Sequence, residues 1–267
     1  MIQIKRRAEL EVMAEAARVN REAMDAVAAA VGVGVTTREL NAIAEDAIVS
    51  RGGRPAFKGY GGGHGTPPYP GTLCTSVNEV VVHGIPDDRR LADGDIVSVD
   101  IGTFYRGFAA DLARTFPIGE VPEEARRLIA TTEASLVAGI EAAQVGHRLG
   151  DVSAAIQAVV EAEGFWVVRE FVGHGIGRAF HEDPEVPNYG RAGTGPVLRP
   201  GLVLAIEPMV STRSTRVVVG DDGWAASTAD GSLAAHVEHT VAVTEDGPWV
   251  LTARTDRATA VAAAPRR

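Results

Sequence analysis

The sequence has 267 residues, enough to bury a large core as one domain or as two closely packed halves. Hydrophobic residues make up 45% of it, the mean hydropathy is +0.03, and no apolar run is long enough to span a membrane. The net charge of −9 argues against a general nucleic-acid-binding protein, and the single cysteine excludes an internal disulfide. We therefore predict a soluble cytoplasmic protein without a membrane or nucleic-acid partner.

Four segments have the apolar spacing and the end signals of helices. They cover residues 8–31, residues 36–52, a stretch that begins at Pro122, and residues 151–163 before Gly164. The second segment opens with a Thr36–Glu39 capping box. The third has proline at its first helical position and two acids in its first turn. Residues 59–72 are rich in glycine and proline and predict a loop, in which His64 is interpreted as a solvated residue.

Two alternating runs, 97–101 and 108–112, predict a β-hairpin. If its turn is centred on Tyr105 and Arg106, Asp100 lies directly opposite Asp111, with Cβ atoms about 5 Å apart. Two carboxylates held that close need one cation or two. The alternative is a shifted register that leaves both acids in solvent.

The second half of the chain repeats features of the first in the same order. The matched pairs are residues 34–52 with 146–164, His83 with His174, Asp100 with Glu207, and Asp111 with Glu238. Two related halves would bring four carboxylates and two histidines to one central cleft. Chance similarity of short strands is the alternative.

The acids and one histidine have the chemistry of metal ligands. Glu238 occupies an inward strand position, where an acid is costly unless it is paired or metal-bound. His174 lies in the glycine-rich run 173–177, which resists a helix and lets the backbone approach a bound group. Two Asp, one His and two Glu suit a pair of Mn²⁺, Fe²⁺, Co²⁺ or Zn²⁺ ions better than a structural zinc.

Five segments together resemble type I methionine aminopeptidases. They are residues 78–86, Asp100 with Asp111, residues 173–181, residues 206–209 and residues 238–240. The resemblance runs from the first helix to about Thr252, and the short interval between His181 and Glu207 lacks the helical insertion of type II relatives. It implies an α+β pita-bread fold, in which two pseudo-symmetric halves share a central curved antiparallel sheet flanked by helices.

The resemblance also implies two divalent metal ions per subunit (Co²⁺, Mn²⁺, Fe²⁺ or Zn²⁺). It assigns Asp100 to one ion, His174 and Glu207 to the other, and Asp111 and Glu238 to both. We accordingly expect a single catalytic domain, with an N-terminal half of about 1–118, a C-terminal half of about 119–255 and a frayed tail, 256–267.

Further residues are implied to act on the substrate. His83 contacts the scissile amide, His181 stabilises the oxyanion, and Glu207 shuttles a proton as well as binding metal. The methionine pocket is formed by Tyr60, Tyr69, Cys74, Phe180 and Trp224. The loop 61–68 is longer than the usual family pattern.

The activity implied is removal of the N-terminal methionine from nascent proteins and peptides with a small second residue. The implied partners are the N-terminal segments of nascent polypeptides, with transient ribosome association, and a monomer is expected. Two alternatives remain open on sequence alone. One is a proline-directed aminopeptidase or prolidase of the same fold, and the other is a non-catalytic binding module of that fold.

Overall fold

Four helices form across residues 1–62 and 66–254, the part of the chain that the computed structural model describes. They are α1 (Arg7–Ala30), α2 (Thr37–Ser50), α3 (Glu123–Ala142) and α4 (Leu149–Ala162). The first matches the predicted bounds to within one residue. Each helix in these ranges is too short or too polar to cross a bilayer. His64 and the predicted tail lie outside the described residues.

Local hydrogen bonds set the helix ends. The predicted capping box is confirmed, because the hydroxyl of Thr36 accepts the Glu39 N–H at 3.1 Å and the Glu39 carboxylate accepts the Thr36 N–H at 2.7 Å. Pro122 is the N-cap of α3 rather than its first helical residue. α4 begins two residues earlier than predicted, because the carboxylate of Asp151 accepts the N–H of Arg148 at 2.7 Å.

Most strands have six residues or fewer, β4 and β5 have ten each, and all pair in antiparallel fashion within the described ranges. They are β1 (Arg54–Pro55), β2 (Leu73–Val77), β3 (Val80–Val82), β4 (Ile96–Tyr105), β5 (Phe108–Pro117), β6 (Trp166–Val167), β7 (Gly173–Gly175), β8 (Glu182–Val186), β9 (Val203–Ile206), β10 (Met209–Ser211), β11 (Val217–Val219), β12 (Ala226–Thr228), β13 (Ala234–His236), β14 (His239–Thr244) and β15 (Gly247–Val250). Helices with antiparallel strands make the fold α+β, as predicted.

Two larger sheets have the same local topology. In the first, β4 lies between β2 and β5. β1 also pairs with β4, at the end of β4 that follows the residues paired with β2. In the second, which runs β15-β14-β9-β7-β8, β9 lies between β7 and β14 in the same way. The helices α2 and α4 each have 14 residues, and Gly94 and Gly201 before the two central strands both have left-handed φ values, 93° and 86°. The sequence repeat is thus also a structural repeat.

The register of the β4–β5 hairpin differs from the prediction by two residues. Asp111 pairs with Gly102 rather than with Asp100. The turn is centred on Arg106 and Gly107, whose φ values of 50° and 82° are those that a two-residue hairpin turn needs. A shift of two residues keeps every side chain on its face, so the two acids are diagonal neighbours on one face. Both residues are buried, which excludes the solvent-exposed register.

The two larger sheets meet along β5. The N–H of Glu238 donates to the carbonyl oxygen of Ala113 at 2.9 Å. The N–H of Asp111 donates to Oγ1 of Thr240 at 2.9 Å, and that hydroxyl donates back to the carbonyl oxygen of Asp111 at 2.8 Å. This seam brings acids from both sheets side by side.

Candidate metal centre and adjoining cavity

Five acidic and histidine side chains converge at the seam. Asp100 and Asp111 lie on β4 and β5, His174 lies on β7, Glu207 follows β9, and Glu238 precedes β14. One ligand atom each of Asp111, His174 and Glu238 lies within 4.8 Å of the other two. Nε2 of His174 is also 3.6 Å from Oε1 of Glu207. The residues predicted as metal ligands therefore occupy one region, formed by both sheets.

Hydrogen bonding fixes the tautomer of His174. Its Nδ1 lies 2.9 Å from the carbonyl oxygen of Gly175, and a carbonyl can only accept, so Nδ1 carries the proton. The lone pair of Nε2 then faces the carboxylates of Asp111 and Glu207. Burial lowers the pKa of His174 to about 3, so the ring is neutral near pH 7. A neutral imidazole with a free lone pair can bind a metal ion but cannot act as a counter-ion.

The glycines on either side of His174 serve strand packing. A Cβ at Gly173 would lie 2.3 Å from the carbonyl oxygen of Ala205, and a Cβ at Gly175 would lie 2.2 Å from that of Asp183. The sequence suggested that these glycines let the backbone approach a bound group. The structure gives a different reason, which is the close approach of neighbouring strands.

The clustered carboxylates are electrostatically unfavourable as they stand. Burial, reinforced by the charge of Glu207, raises the pKa of Asp100 to about 7. Burial likewise raises the pKa of Asp111, Glu207 and Glu238 well above their usual values. Within the described part of the chain, Oδ1 of Asp100 and Oε1 of Glu238 are buried without a hydrogen-bond partner. Orphaned carboxylate oxygens beside a neutral imidazole fit a divalent cation.

A cavity of about 170 Å³ adjoins the acids, and Asp100, Asp111, His174 and Glu207 form part of its wall. Glu238 is not among the wall residues and is only 1% exposed. The centre is therefore reached from the cavity through four of its five predicted ligands.

The rest of the cavity wall is mainly apolar and aromatic. It contains every side chain predicted for the methionine pocket, namely Tyr60, Tyr69, Cys74, Phe180 and Trp224. Tyr69 and Trp224 meet edge to face with ring centres 5.2 Å apart. Phe57, Phe171 and Met209 also line the cavity and were not identified from the sequence, because each reads as an ordinary core residue.

The two histidines predicted to act on substrate line the same cavity. Nδ1 of His181 lies 2.6 Å from the hydroxyl of Tyr60. His83 packs edge-on against Phe171, and burial lowers the pKa of His83 to about 4. The φ of His83 is 62°, a left-handed value that is uncommon for a residue with a side chain and that clusters at functional sites.

A fourth histidine, His236, was not assigned a role from the sequence. It is 2% exposed, and its Nε2 lies 3.5 Å from Oε2 of Glu207. The signal was its position two residues before Glu238, which places both side chains on one face of an extended segment. A histidine in that position also reads as a core residue, and only the fold brings it to Glu207.

Comparison with known sequences identifies the family. A model described as metallopeptidase family M24 matches residues 11–245. The methionine aminopeptidase of Clostridium perfringens is 52% identical over 252 residues, which are 94% of this chain and 99% of the relative. Methionine aminopeptidase 1 of Bacillus subtilis is 46% identical over 252 residues, with the same two coverages.

Comparison with solved structures agrees. Methionine aminopeptidase from Thermotoga maritima has a TM-score of 0.91 and 46% identity, covering 94% of this chain and 99% of that one. Prolidase from Pyrococcus furiosus has a TM-score of 0.74 and 24% identity, covering 95% of this chain and 66% of that one. The second likeness shows the fold alone. The predicted pita-bread fold is confirmed.

Proposed function

The chain belongs to metallopeptidase family M24, and from this premise we propose that it is a type I methionine aminopeptidase. It would remove the N-terminal methionine from proteins and peptides whose second residue is small. One observation carries the proposal: a buried cluster of carboxylates and a neutral histidine borders a cavity with aromatic walls. The cluster suits metal-assisted hydrolysis, and the walls suit an unbranched apolar side chain.

The donor set favours two divalent ions per subunit, drawn from Co²⁺, Mn²⁺, Fe²⁺ and Zn²⁺. We assign Asp100 to one ion, His174 and Glu207 to the other, and Asp111 and Glu238 to both. The raised carboxylate pKa values and the orphaned oxygens support this assignment. Divalent ions held there supply Lewis acidity, which lowers the pKa of water and polarises a carbonyl.

The protein's own groups move the protons and stabilise charge. Glu207 accepts a proton from the attacking water and delivers it to the leaving amine. His181 donates to the carbonyl oxygen as negative charge develops there. A Tyr60 hydroxyl that donates to Nδ1 of His181 leaves the ring proton on Nε2, in the state required of a donor. His83 contacts the scissile amide from another part of the cavity wall.

The aromatic side of the cavity is assigned to the methionine side chain. Thioethers make favourable contacts with aromatic rings, and Tyr60, Phe180 and Trp224 supply ring edges and faces there. The single cysteine, Cys74, pairs with Asp100 across β2 and β4 and therefore connects the pocket wall to the metal centre.

The wider setting follows from this activity. The partners would be N-terminal segments of nascent polypeptides, reached by transient association with the ribosome. We propose a cytoplasmic monomer whose two halves, about 1–118 and 119–255, form one catalytic domain.

Peptide hydrolysis by the metal-loaded protein tests the function. Free methionine should be released from Met-Ala-Ser, while Xaa-Pro peptides should stay intact. Cleavage of Xaa-Pro peptides alone would favour a proline-directed enzyme. That alternative is supported only by the fold shared with prolidase. Metal and peptide binding without turnover would favour a binding module.

A further inference from the structure

A buried ion pair lies outside the candidate metal centre. Nζ of Lys5 is 2.5 Å from Oε2 of Glu182, and the two side chains are only 5% and 8% exposed. Burying two charges is costly, so pairs this enclosed are uncommon on a protein's periphery. By contrast, the neighbouring pair of Arg7 and Glu11 is 77% and 58% exposed.

The segment before α1 is fixed in place around Lys5. The N–H of Lys5 donates to the carbonyl oxygen of Gly201 at 2.8 Å, and its Nζ also donates to the carbonyl oxygen of Gln3 at 3.3 Å. A Cβ at Gly177 would lie 2.4 Å from Cε of Lys5, so the lysine stem occupies the space that a side chain there would need. The segment before α1 therefore places the ammonium of Lys5 against the loop between β7 and β8, which is far from Lys5 in the sequence.

Glu182 connects this ammonium to His181. Glu182 is the first residue of β8 and directly follows His181. Its Oε1 accepts the N–H of Ala179 at 3.2 Å while its Oε2 takes the ammonium of Lys5. The carboxylate thus links the two ends of the short stretch 179–182, and His181 lies within that stretch. The backbone of His181 is thus held through Glu182, and its ring is held by the Tyr60 hydroxyl at Nδ1.

We propose that Lys5 and Glu182 are positioning residues that hold His181 in the orientation from which it acts on the substrate carbonyl. The proposal rests on the role assigned to His181 in the proposed function. Removing one charge leaves the other buried and uncompensated, and the loop must open to hydrate it. The backbone of His181 then moves, and displacements of about 1 Å at a reacting centre can cost about 10²-fold in rate.

A double-mutant cycle with His181 tests the proposal. Lys5→Met and Glu182→Gln each remove one charge at similar volume, and Glu182→Gln retains an acceptor for Ala179. Each should lower kcat for Met-Ala-Ser by roughly 10-fold to 100-fold, with a smaller change in KM and with unchanged metal per subunit. In a His181→Ala background the same substitutions should change kcat by less than about twofold, because the residue they act through is gone. Arg7→Met, which breaks the exposed pair, is the matched control and should behave as wild type.

A second measurement does not depend on turnover. The imidazole NMR signals of His181, assigned by their loss in His181→Ala, should shift in Lys5→Met and in Glu182→Gln but not in Arg7→Met. Equal loss of kcat in both backgrounds, or unmoved His181 signals, would overturn the proposal. Failure of the wild-type protein to release methionine would instead count against the proposed function, and the NMR result would still judge the positioning role.

Discussion

Nε2 of His236 lies 3.5 Å from Oε2 of Glu207, which is not the oxygen that His174 approaches. His174 faces the other oxygen, Oε1, at 3.6 Å. The carboxylate of Glu207 is therefore approached by one imidazole at each oxygen. Nε2 of His236 is buried without a hydrogen-bond partner at this distance, so a small movement toward Oε2 with the ring proton on Nε2 would let it orient Glu207 and leave the other oxygen for a metal ion.

This relationship predicts different outcomes for two substitutions at His236. Gln keeps a donor, whereas Leu has similar volume and none. Because groups that orient a metal ligand typically contribute about 10-fold to 100-fold in affinity, His236→Leu should weaken Mn²⁺ binding by that factor and His236→Gln by much less. Calorimetric titration of the metal-free proteins with Mn²⁺ measures this affinity. Equal affinity in the Leu variant and wild type would contradict an orienting role.

Metal removal should abolish activity and destabilise the fold. With no cation, the buried carboxylates repel one another, and a ligand present at 100 times its Kd stabilises a protein by about 2.7 kcal/mol. Mn²⁺ added after chelation should raise Tm and restore methionine release. Asp111→Ala and Glu238→Ala should lose this response most completely, since each is assigned to both ions. Full activity in a metal-free preparation would refute metal dependence.

The metal-free protein should lose stability as pH rises. The pKa of Asp100 is raised from 3.8 to about 7 in the folded state, so between these values the folded state holds the proton and the unfolded chain does not. Stability then falls by about 1.4 kcal/mol per pH unit for each such proton. Urea unfolding in chelator at about pH 5, 6 and 7 measures the slope. Asp100→Asn should make the slope less negative without abolishing it, because the pKa values of Asp111, Glu207 and Glu238 are raised too. Stability that rises over this range in wild type would be the contrary result.

The histidines should separate into metal-binding and substrate-binding groups. His174→Ala should lose metal, and its activity should partly recover at high metal concentration. His83→Ala and His181→Ala should keep the metal of wild type while kcat falls by about 10² to 10³. The rings of His174 and His181 are only 4.2 Å apart, so metal per subunit is the deciding measurement. Metal loss in His181→Ala equal to that in His174→Ala would remove the distinction.

Sequence periodicity predicted the faces of the β4–β5 hairpin better than its register. Alternation alone places Asp100 and Asp111 on one face, since any even shift preserves the faces. The register depends on which two residues accept left-handed φ, and Gly107 was left outside the predicted turn although it is the residue best suited to it. A turn assignment that began from Gly107 would have given the observed pairing.

Sequence patterns did not predict the long-range contacts of Lys5 and His236. Lys5 reads as part of a solvated basic run, and nothing local distinguishes it from Arg6 or Arg7. Its burial arises because the segment before α1 packs on Gly201 and on the β7–β8 loop. The acids predicted as ligands stood out in the sequence because matched acids recur at matched strand ends in the two halves. Lys5 and His236 have no such counterpart to reveal them.

The seam along β5 makes the chain a candidate for conditional assembly from two pieces. The link at Gly119 and Glu120 is exposed, and a break there separates the predicted ligands into one set before it and one set after it. The first set is Asp100 and Asp111, and the second is His174, Glu207 and Glu238. Neither fragment alone would hold all the predicted ligands. Co-expressed fragments would therefore associate more tightly when a divalent ion is present, because the ion binds only the assembled pair.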